Sequence, residues 1–206
     1  MKPPISDIAF TPAVKFQQER LGSREAYASL EEKGGWKDRL SQDLKDFIAE
    51  RDSFYLATVS SEGYPYIQHR GGEKGFLKAL DETTLAFADF SGNRQYITVG
   101  NLSGNNRAFI FLMDYENRRR VKIWGRARIV ESDPHLMGRV VNSDHLAERV
   151  IVFTVEAWDV NCPKHIPRRY PHDHIQSLTE EIKRLQEENR MLRREAPVTV
   201  PNRQKI

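Results

Sequence analysis

Hydrophobic and polar positions alternate along several short stretches of the chain from residue 53 onward. Between Val121 and Ile129, apolar or small side chains at odd-numbered positions alternate with lysine, tryptophan or arginine at even-numbered positions. A period of two is typical of a β-strand with one buried and one wet face. Further strands are predicted at 54–59, 64–69, 76–80, 84–88, 107–113 and 149–158. About six antiparallel strands with few helices predict a mainly β fold, closed or nearly closed into a small barrel that removes exposed edges.

Capping residues predict helices around these strands. Ser23 precedes a helical pattern through Leu30, and Ser41 precedes one that places Leu44, Phe47 and Ile48 on a single face. A serine at this position accepts a hydrogen bond from a first-turn N–H group. Two more helices are predicted between strands, at 94–100 and from 133 to 141.

The C-terminal segment has the most regular pattern in the chain. Its apolar positions follow spacings of three and four, as in a coiled coil whose core positions are called a and d: Ile175, Leu178, Ile182, Leu185, Asn189 and Leu192. Isoleucine at the first two a positions with leucine at d favours a parallel two-stranded coiled coil. Asparagine at the third a position would fix the register of the two helices, and Glu188 of one helix would pair with Arg193 of the other. The alternative is an amphipathic helix packed on its own barrel, since three heptads are short. Pro197 and Pro201 are predicted to end this helix.

These patterns divide the chain into a helical extension (1–50), a barrel (51–167) and a C-terminal helix with its tail (168–206). The net charge of +3 resides in the tail, because residues from 163 onward carry 10 Lys and Arg against 6 Asp and Glu, and the preceding residues carry 22 against 23. A nucleic-acid-binding protein is expected to have a basic face on its folded body, so this class is not favoured.

No apolar run is long enough for a membrane span. A single cysteine and the lack of a signal-peptide core favour the cytoplasm.

Two stretches carry candidate chemistry. In the first, a predicted strand ends in Gln68, His69 and Arg70, and glycines at 71 and 72 leave backbone uncovered. Such a strand end suits the flat isoalloxazine ring of a flavin. In the second, Gly92, Asn93 and Arg94 lie where a strand leads into a helix, and free N–H groups beside a guanidinium suit a phosphate. For the first stretch, the alternative to a flavin site is that His69 is only a partly exposed histidine at the end of a strand. For the second stretch, the alternative to a phosphate site is a glycine-containing turn in which Arg94 forms a surface ion pair.

Several separate segments, in order, resemble one protein family. The segments 54–72, 87–95 and 120–127 are similar to the pyridoxamine 5'-phosphate oxidase-related, FMN-binding split-barrel family, and Cys162-Pro-Lys-His-Ile-Pro resembles the ending of one branch. The likeness covers about residues 45–167 and implies an antiparallel split barrel that forms a homodimer, with FMN in two clefts at the interface.

The resemblance also assigns residues to the cofactor. It places Gln68, His69, Arg70 and Gly71 along the flavin ring, and Arg120 next to it. It places the FMN phosphate at Arg94 and Gln95, beside Gly92 and Asn93. The oxidase itself has lysine after the arginine of this pair. Its C-terminal substrate-binding Arg and His are not reproduced, and Lys164 and His165 stand near that point as further candidates. This chain is therefore expected to be a relative and not the vitamin B6 enzyme.

These expectations describe an FMN-dependent oxidoreductase. Its flavin would accept a hydride at N5 from a small-molecule substrate or from NAD(P)H, and the protein would supply position and electrostatics. One alternative is a flavin-binding or flavin-sensing protein without turnover, whose C-terminal helix binds a partner. Another is a structural dimer without a cofactor. A deazaflavin or haem in the cleft is also compatible with such a barrel. The spacing of Cys162, His165, His172 and His174 does not fit a metal site.

Overall fold

The computed structural model describes residues 3–141 and 147–195. The chain forms two compact units, one ending at Ile166 and the other beginning at Pro167. The predicted extension (1–50) and the barrel up to Ile166 therefore share one unit. Pro197 and Pro201, which we predict to end the C-terminal helix, lie outside the described residues.

Seven antiparallel strands form a single sheet among the described residues of the first unit. The order across the sheet is β2-β1-β5-β6-β7-β4-β3, so that β2 and β3 are its two end strands. The strands are β1 (Ser53–Val59), β2 (Pro65–Gly71), β3 (Lys78–Ala79), β4 (Thr84–Phe90), β5 (Arg107–Asp114), β6 (Arg119–Val130) and β7 (Ala147–Val160). Pro65 begins the end strand β2, as its missing N–H group requires.

The sheet curls until its two ends meet. Arg70 on β2 forms an ion pair with Asp89 on β4, with 2.5 Å between Nη1 and Oδ1. The ring of Phe54 on β1 lies 5.0 Å from that of Phe87 on β4. The closure is made by side chains, because β2 and β3 are not paired by backbone hydrogen bonds. The predicted fold, a mainly β antiparallel split barrel, is confirmed.

Six α-helices and one short 3-10 turn (Ile5–Ile8) accompany the described strands. The helices are α1 (Pro12–Arg20), α2 (Arg24–Glu32), α3 (Gln42–Ala49), α4 (Ile97–Gly104), α5 (Pro134–Val140) and α6 (His172–Glu195). Ser41 accepts a hydrogen bond from the N–H group of Leu44 and so caps α3, and Asp133 caps α5 through Leu136. Ser23 precedes α2 as predicted but makes no side-chain cap bond. No helix in the described ranges is both long and apolar enough to cross a membrane.

Helix α4 and strand β3 begin later along the chain than predicted. Helix α4 begins at Ile97 and not at Arg94, because Arg94 and Tyr96 have left-handed backbone angles (φ 57° and 52°) that an α-helix does not contain. Strand β3 has only two residues. Gly75, at φ 73°, and a hydrogen bond from the N–H group of Phe76 to the carbonyl of Glu73 make a turn where we predict its beginning.

The core of the barrel includes part of the N-terminal segment. Leu40 and the predicted face of α3 (Leu44, Phe47, Ile48) are buried in the same cluster as the strand residues. Lys37 forms a β-bridge with Trp158, and the indole N–H of Trp158 donates to the carbonyl of Arg39. Residues 40–48 therefore complete the barrel core, and residues 37–39 are bonded to β7.

A buried aspartate fixes the turn between β5 and β6. Burial raises the pKa of Asp114, but hydrogen bonds from the backbone N–H and side-chain amide of Asn117, with the charges of Arg51 and Arg119, outweigh it, so that the pKa is lowered. A carboxyl whose pKa is lowered by folding adds stability above its unfolded pKa of about 3.9, and this stability is lost as the pH falls through the folded pKa.

Asp114→Asn is therefore expected to lower the free energy of unfolding by about 1–3 kcal/mol at pH 7. The difference from the parent should shrink steadily as the pH falls below about 4, where the parent carboxyl also becomes neutral. Urea denaturation at several pH values measures both effects. Asp38→Asn, at an exposed position, is the control and should change little. A difference that stays constant with pH would show that the charge of Asp114 is not what matters.

Candidate functional site

A cleft lies where the two ends of the sheet meet. One wall is the inner side of β2, where Tyr66, Gln68 and Arg70 alternate with outward-facing residues. The opposite wall is the end of β4, the following loop and the first turn of α4, with Glu148 and Arg149 from β7. The space between the two walls is about 440 Å³ when the open solvent at the mouth of the cleft is included.

A charged cluster forms the floor of this cleft. Asp89 accepts a hydrogen bond from the guanidinium of Arg70, and its Oδ2 lies 3.5 Å from Nη1 of Arg149. Arg149 also forms an ion pair with Glu148. The side chains of Arg70, Arg149 and Asp89 are only 15%, 11% and 9% exposed. The Nε atoms of both arginines are buried without a hydrogen-bond partner. Unpaired buried donors are costly, so an anion bound beside them would offset a penalty that the chain carries.

The loop above the floor has a strained backbone. Arg94 and Tyr96 both have positive φ, which side-chain-bearing residues rarely adopt and which is typical of functional sites. The N–H group of Gln95 donates to Oδ1 of Asn93, and the guanidinium of Arg149 lies 5.3 Å from the centre of the Tyr96 ring. Helix α4 starts immediately afterwards, and its first N–H groups have no partner within the helix. This loop therefore offers N–H donors and the Arg94 guanidinium to an anion.

Side-chain hydrogen bonds fix the two walls to each other. The hydroxyl of Thr98, which is 3% exposed, donates to Oε1 of Gln68 over 2.9 Å. The amide of Asn101 donates to the hydroxyl of Thr58 over 3.0 Å. Helix α4 is thus attached to β1 and β2, and Gln68 is held in one orientation.

The structure brings together six of the predicted site residues: Gln68, Arg70, Gly92, Asn93, Arg94 and Gln95. His69 and Gly71 face the other side of β2, because successive residues of a strand alternate. The His69 ring makes an edge contact with Tyr55 there. Close packing explains why residue 72 is a glycine, because an added Cβ would lie 2.8 Å from the ring of Phe76.

The remaining candidates lie outside the cleft of a single chain. Arg120 is on the outer face of β6, opposite Met113, and its Nε is also buried without a partner. Lys164 and His165 are exposed in the segment after β7, where His165 has positive φ. Within the described residues, no three His, Cys, Asp or Glu side chains gather as a metal site.

Sequence reasoning did not assign roles to Asp89, Tyr96 or Arg149. A signal exists for two of them. Asp89 interrupts the apolar strand 85–90, and Arg149 directly precedes the apolar run 150–153. Charges inside such strands are rarely buried unless they are paired, so these two residues were candidates for a mutual ion pair.

Comparison with known sequences assigns the family. The family model described as pyridoxamine 5'-phosphate oxidase matches residues 40–162, which is more than half of the chain. The chain belongs to this family. The matched range contains both walls of the cleft, and members of the family are typically dimers. No curated protein matches the chain.

Solved structures with a similar fold come from several bacteria. An FMN-binding protein from Syntrophomonas wolfei is 14% identical, with a TM-score of 0.48 over 70% of this chain and 97% of its own. A relative of general stress protein 26 from Clostridium acetobutylicum is 16% identical, with a TM-score of 0.44 over 65% and 94%. The haem storage protein HutZ from Vibrio cholerae is 19% identical, with a TM-score of 0.40 over 57% and 89%. Each of these names describes that protein alone.

Proposed function

We propose that this chain binds FMN in the cleft between β2 and α4 and acts, as a homodimer, as an FMN-dependent oxidoreductase on a small molecule. The observation that carries the proposal is the cleft itself. It combines two largely buried arginines that have unsatisfied Nε donors with a strained loop that carries backbone N–H donors, within the range that matches the family. When bound, FMN would take two electrons from a reduced donor and pass them to an acceptor.

The loop after β4 would hold the phosphate. Arg94 is exposed in this loop, and no carboxylate among the described residues pairs with it, so its guanidinium is available to the ligand. The cleft contains three arginines (70, 94 and 149) against two carboxylates (89 and 148). A phosphate group with close to two negative charges suits that excess and the backbone N–H groups of this loop other than that of Gln95, which donates to Asn93.

The inner side of β2 would hold the ring. Because Oε1 of Gln68 already accepts from Thr98, its amide NH₂ group is the part left to donate to a carbonyl on the pyrimidine edge of the ring. Arg70 places positive charge at the same wall, and its pairing with Asp89 fixes its position. Positive charge and donors at this edge stabilise the negative charge that a flavin gains on reduction.

The outer face of the sheet would form the dimer interface. Ala57 on β1 lies between Ile67 and Phe109, and Tyr55 lies between His69 and Phe111. Ile67 is 62% exposed. A contiguous apolar face of this kind marks a protein interface. His69 and Arg120 lie on this outer face, so pairing through it is the arrangement in which they contribute to a cleft of the second copy.

Arg94→Glu is expected to weaken FMN binding by about 10–100-fold, because a charge-assisted hydrogen bond is lost and a repulsive charge is added. Titration of the apoprotein with FMN, followed by visible absorption, measures the change. Arg20→Glu, on the exposed surface of α1, is the matched control and should bind as the parent does. Full FMN occupancy in folded Arg94→Glu would contradict the phosphate assignment.

Turnover is tested separately on the parent protein. The purified protein should show flavin absorption that is bleached by NADH, NADPH or a reduced substrate under nitrogen. Bound flavin that no donor reduces would favour a flavin-binding or flavin-sensing protein. A haem spectrum would contradict FMN as the cofactor.

A further inference from the structure

Helix α6 leaves an apolar stripe exposed along its whole length. Each apolar residue of the stripe is about half exposed: Ile175, Leu178, Ile182, Leu185 and Leu192. We propose that this stripe pairs, parallel and in register, with the same stripe of a second copy of the chain, to form a two-stranded coiled coil. Two features of the helix indicate that its partner is a second, parallel copy of the same helix. They are the polar residue within the stripe and the charged residues beside it.

Asn189 is the polar residue in the stripe. In a parallel pair in register, it faces Asn189 of the second copy, and the two amides can each donate and accept. In the antiparallel pair, Ile175 of one helix would lie opposite Leu192 of the other. Asn189 would then face Leu178, and its side-chain amide would be buried without a hydrogen-bond partner. An unpaired buried amide is costly, so this residue favours the parallel pair.

The charges beside the stripe select the same orientation. In the parallel pair, Glu188 faces Arg193 of the second copy, and Glu181 faces Gln186. In the antiparallel pair, Glu181 of each copy faces Glu188 of the other, which opposes like charges twice. Arg193 forms no ion pair within the described part of the chain, whereas Glu181 and Glu188 share the single Arg184. Complementary flanking charges decide partner and orientation in coiled coils.

The length of the helix argues against the coiled coil, because three heptads are short for a stable pair between two separate chains in solution. Each α6 is covalently attached to a barrel, and paired barrels would raise the effective concentration of the two tails to the millimolar range. In this respect the inference rests on the proposed homodimer, but it does not depend on the flavin.

Disulfide cross-linking of the full-length protein tests the pairing. In a Cys162→Ser background, which removes the exposed native thiol, Ile175→Cys and Leu192→Cys are made separately and oxidised. A disulfide requires Cα atoms within about 7 Å, which only a parallel pair in register provides at both ends of the helix. We expect each variant to give at least tenfold more covalent dimer on a non-reducing gel than Glu187→Cys, which lies on the opposite face.

The other outcomes each overturn the proposal. Cross-linking only in a mixture of the two variants would mean an antiparallel pair. No cross-linking above the Glu187→Cys control would mean that the stripe packs on its own barrel or binds a different protein. Sedimentation of the parent protein and its FMN occupancy are measured in parallel, so that failure of the tail, of the barrel dimer and of the flavin site can be distinguished.

Charge reversal beside the stripe provides a second test, with the Ile175→Cys cross-link as its readout. Glu188→Arg places two like charges opposite each other in the parallel pair, and Glu188→Arg combined with Arg193→Glu restores attraction. Cross-linking through Ile175→Cys should fall in the single reversal and recover in the double one. Equal yields in all three proteins would contradict the predicted pairing of these positions.

Discussion

Asp89→Asn is expected to lower the free energy of unfolding by about 3–5 kcal/mol, the largest effect we predict for a change in the cleft. The substitution keeps the size of the side chain but removes the negative charge that lies between two largely buried arginines, Arg70 and Arg149. Two guanidinium groups would then remain desolvated with only Glu148 beside them. Urea denaturation of parent and variant at pH 7 measures the difference.

Glu156→Gln is the matched control for this change. Glu156 also pairs with an arginine, Arg126, but the two side chains are 35% and 48% exposed. Exposed ion pairs contribute less than about 1 kcal/mol. If Asp89→Asn costs no more than Glu156→Gln, the ion pair across the split does not hold the ends of the sheet together.

Gly125→Ala is expected to destabilise the barrel by about 3 kcal/mol or more, although it adds a single methyl group. An added Cβ would lie 2.0 Å from the carbonyl oxygen of Thr154 and 2.6 Å from Cε1 of Phe153. The pairing of β6 with β7 is irregular at this point, between Trp124 and Gly125. The oxygen belongs to the neighbouring backbone, so the clash can be relieved only by moving strand β6 or β7. Thermal or urea unfolding measures the loss.

Gly138→Ala provides the comparison for that substitution. Gly138 lies inside α5, and nothing is within 4 Å of an added Cβ. Alanine in a helix interior is favoured over glycine by about 0.5–1 kcal/mol, so this variant should be slightly more stable than the parent. Similar losses in both variants would mean that close packing is not the reason for glycine at 125.

Local patterns in the sequence predicted the elements of the fold well. The alternation over 121–129 became the buried and exposed sides of β6, and Ser41 and Asp133 cap the helices that follow them. These features depend on neighbours within a few residues. The start of α4 was wrong because the left-handed angles of Arg94 and Tyr96 depend on contacts of the folded loop, such as that between Tyr96 and Arg149.

The candidate site was predictable only in part. The sequence indicated the strand end at Gln68–Arg70 and the corner at Gly92–Arg94, and the structure places both at one cleft. Grouping His69 with its neighbours conflicts with the alternation of a strand, which alone would have placed it on the other face. Asp89 lies opposite Arg149 on the neighbouring strand β7, a pair that the charges within apolar strands could have indicated. Its pairing with Arg70 was not accessible, because Arg70 lies at the other end of the sheet and meets Asp89 only when the sheet curls.

The positions of the three tryptophans decide what intrinsic fluorescence reports. Trp36 lies 4.9 Å from Trp124, ring centre to ring centre, and the indole of Trp158 is bonded to Arg39, so that all three lie where the segment around residues 36–39 meets the sheet. None of them lines the cleft. In the flavin-free protein, a change in tryptophan emission therefore reports on the packing of this segment against β6 and β7. An emission-monitored transition that precedes the loss of far-ultraviolet circular dichroism would identify this segment as an early-melting part of the barrel unit.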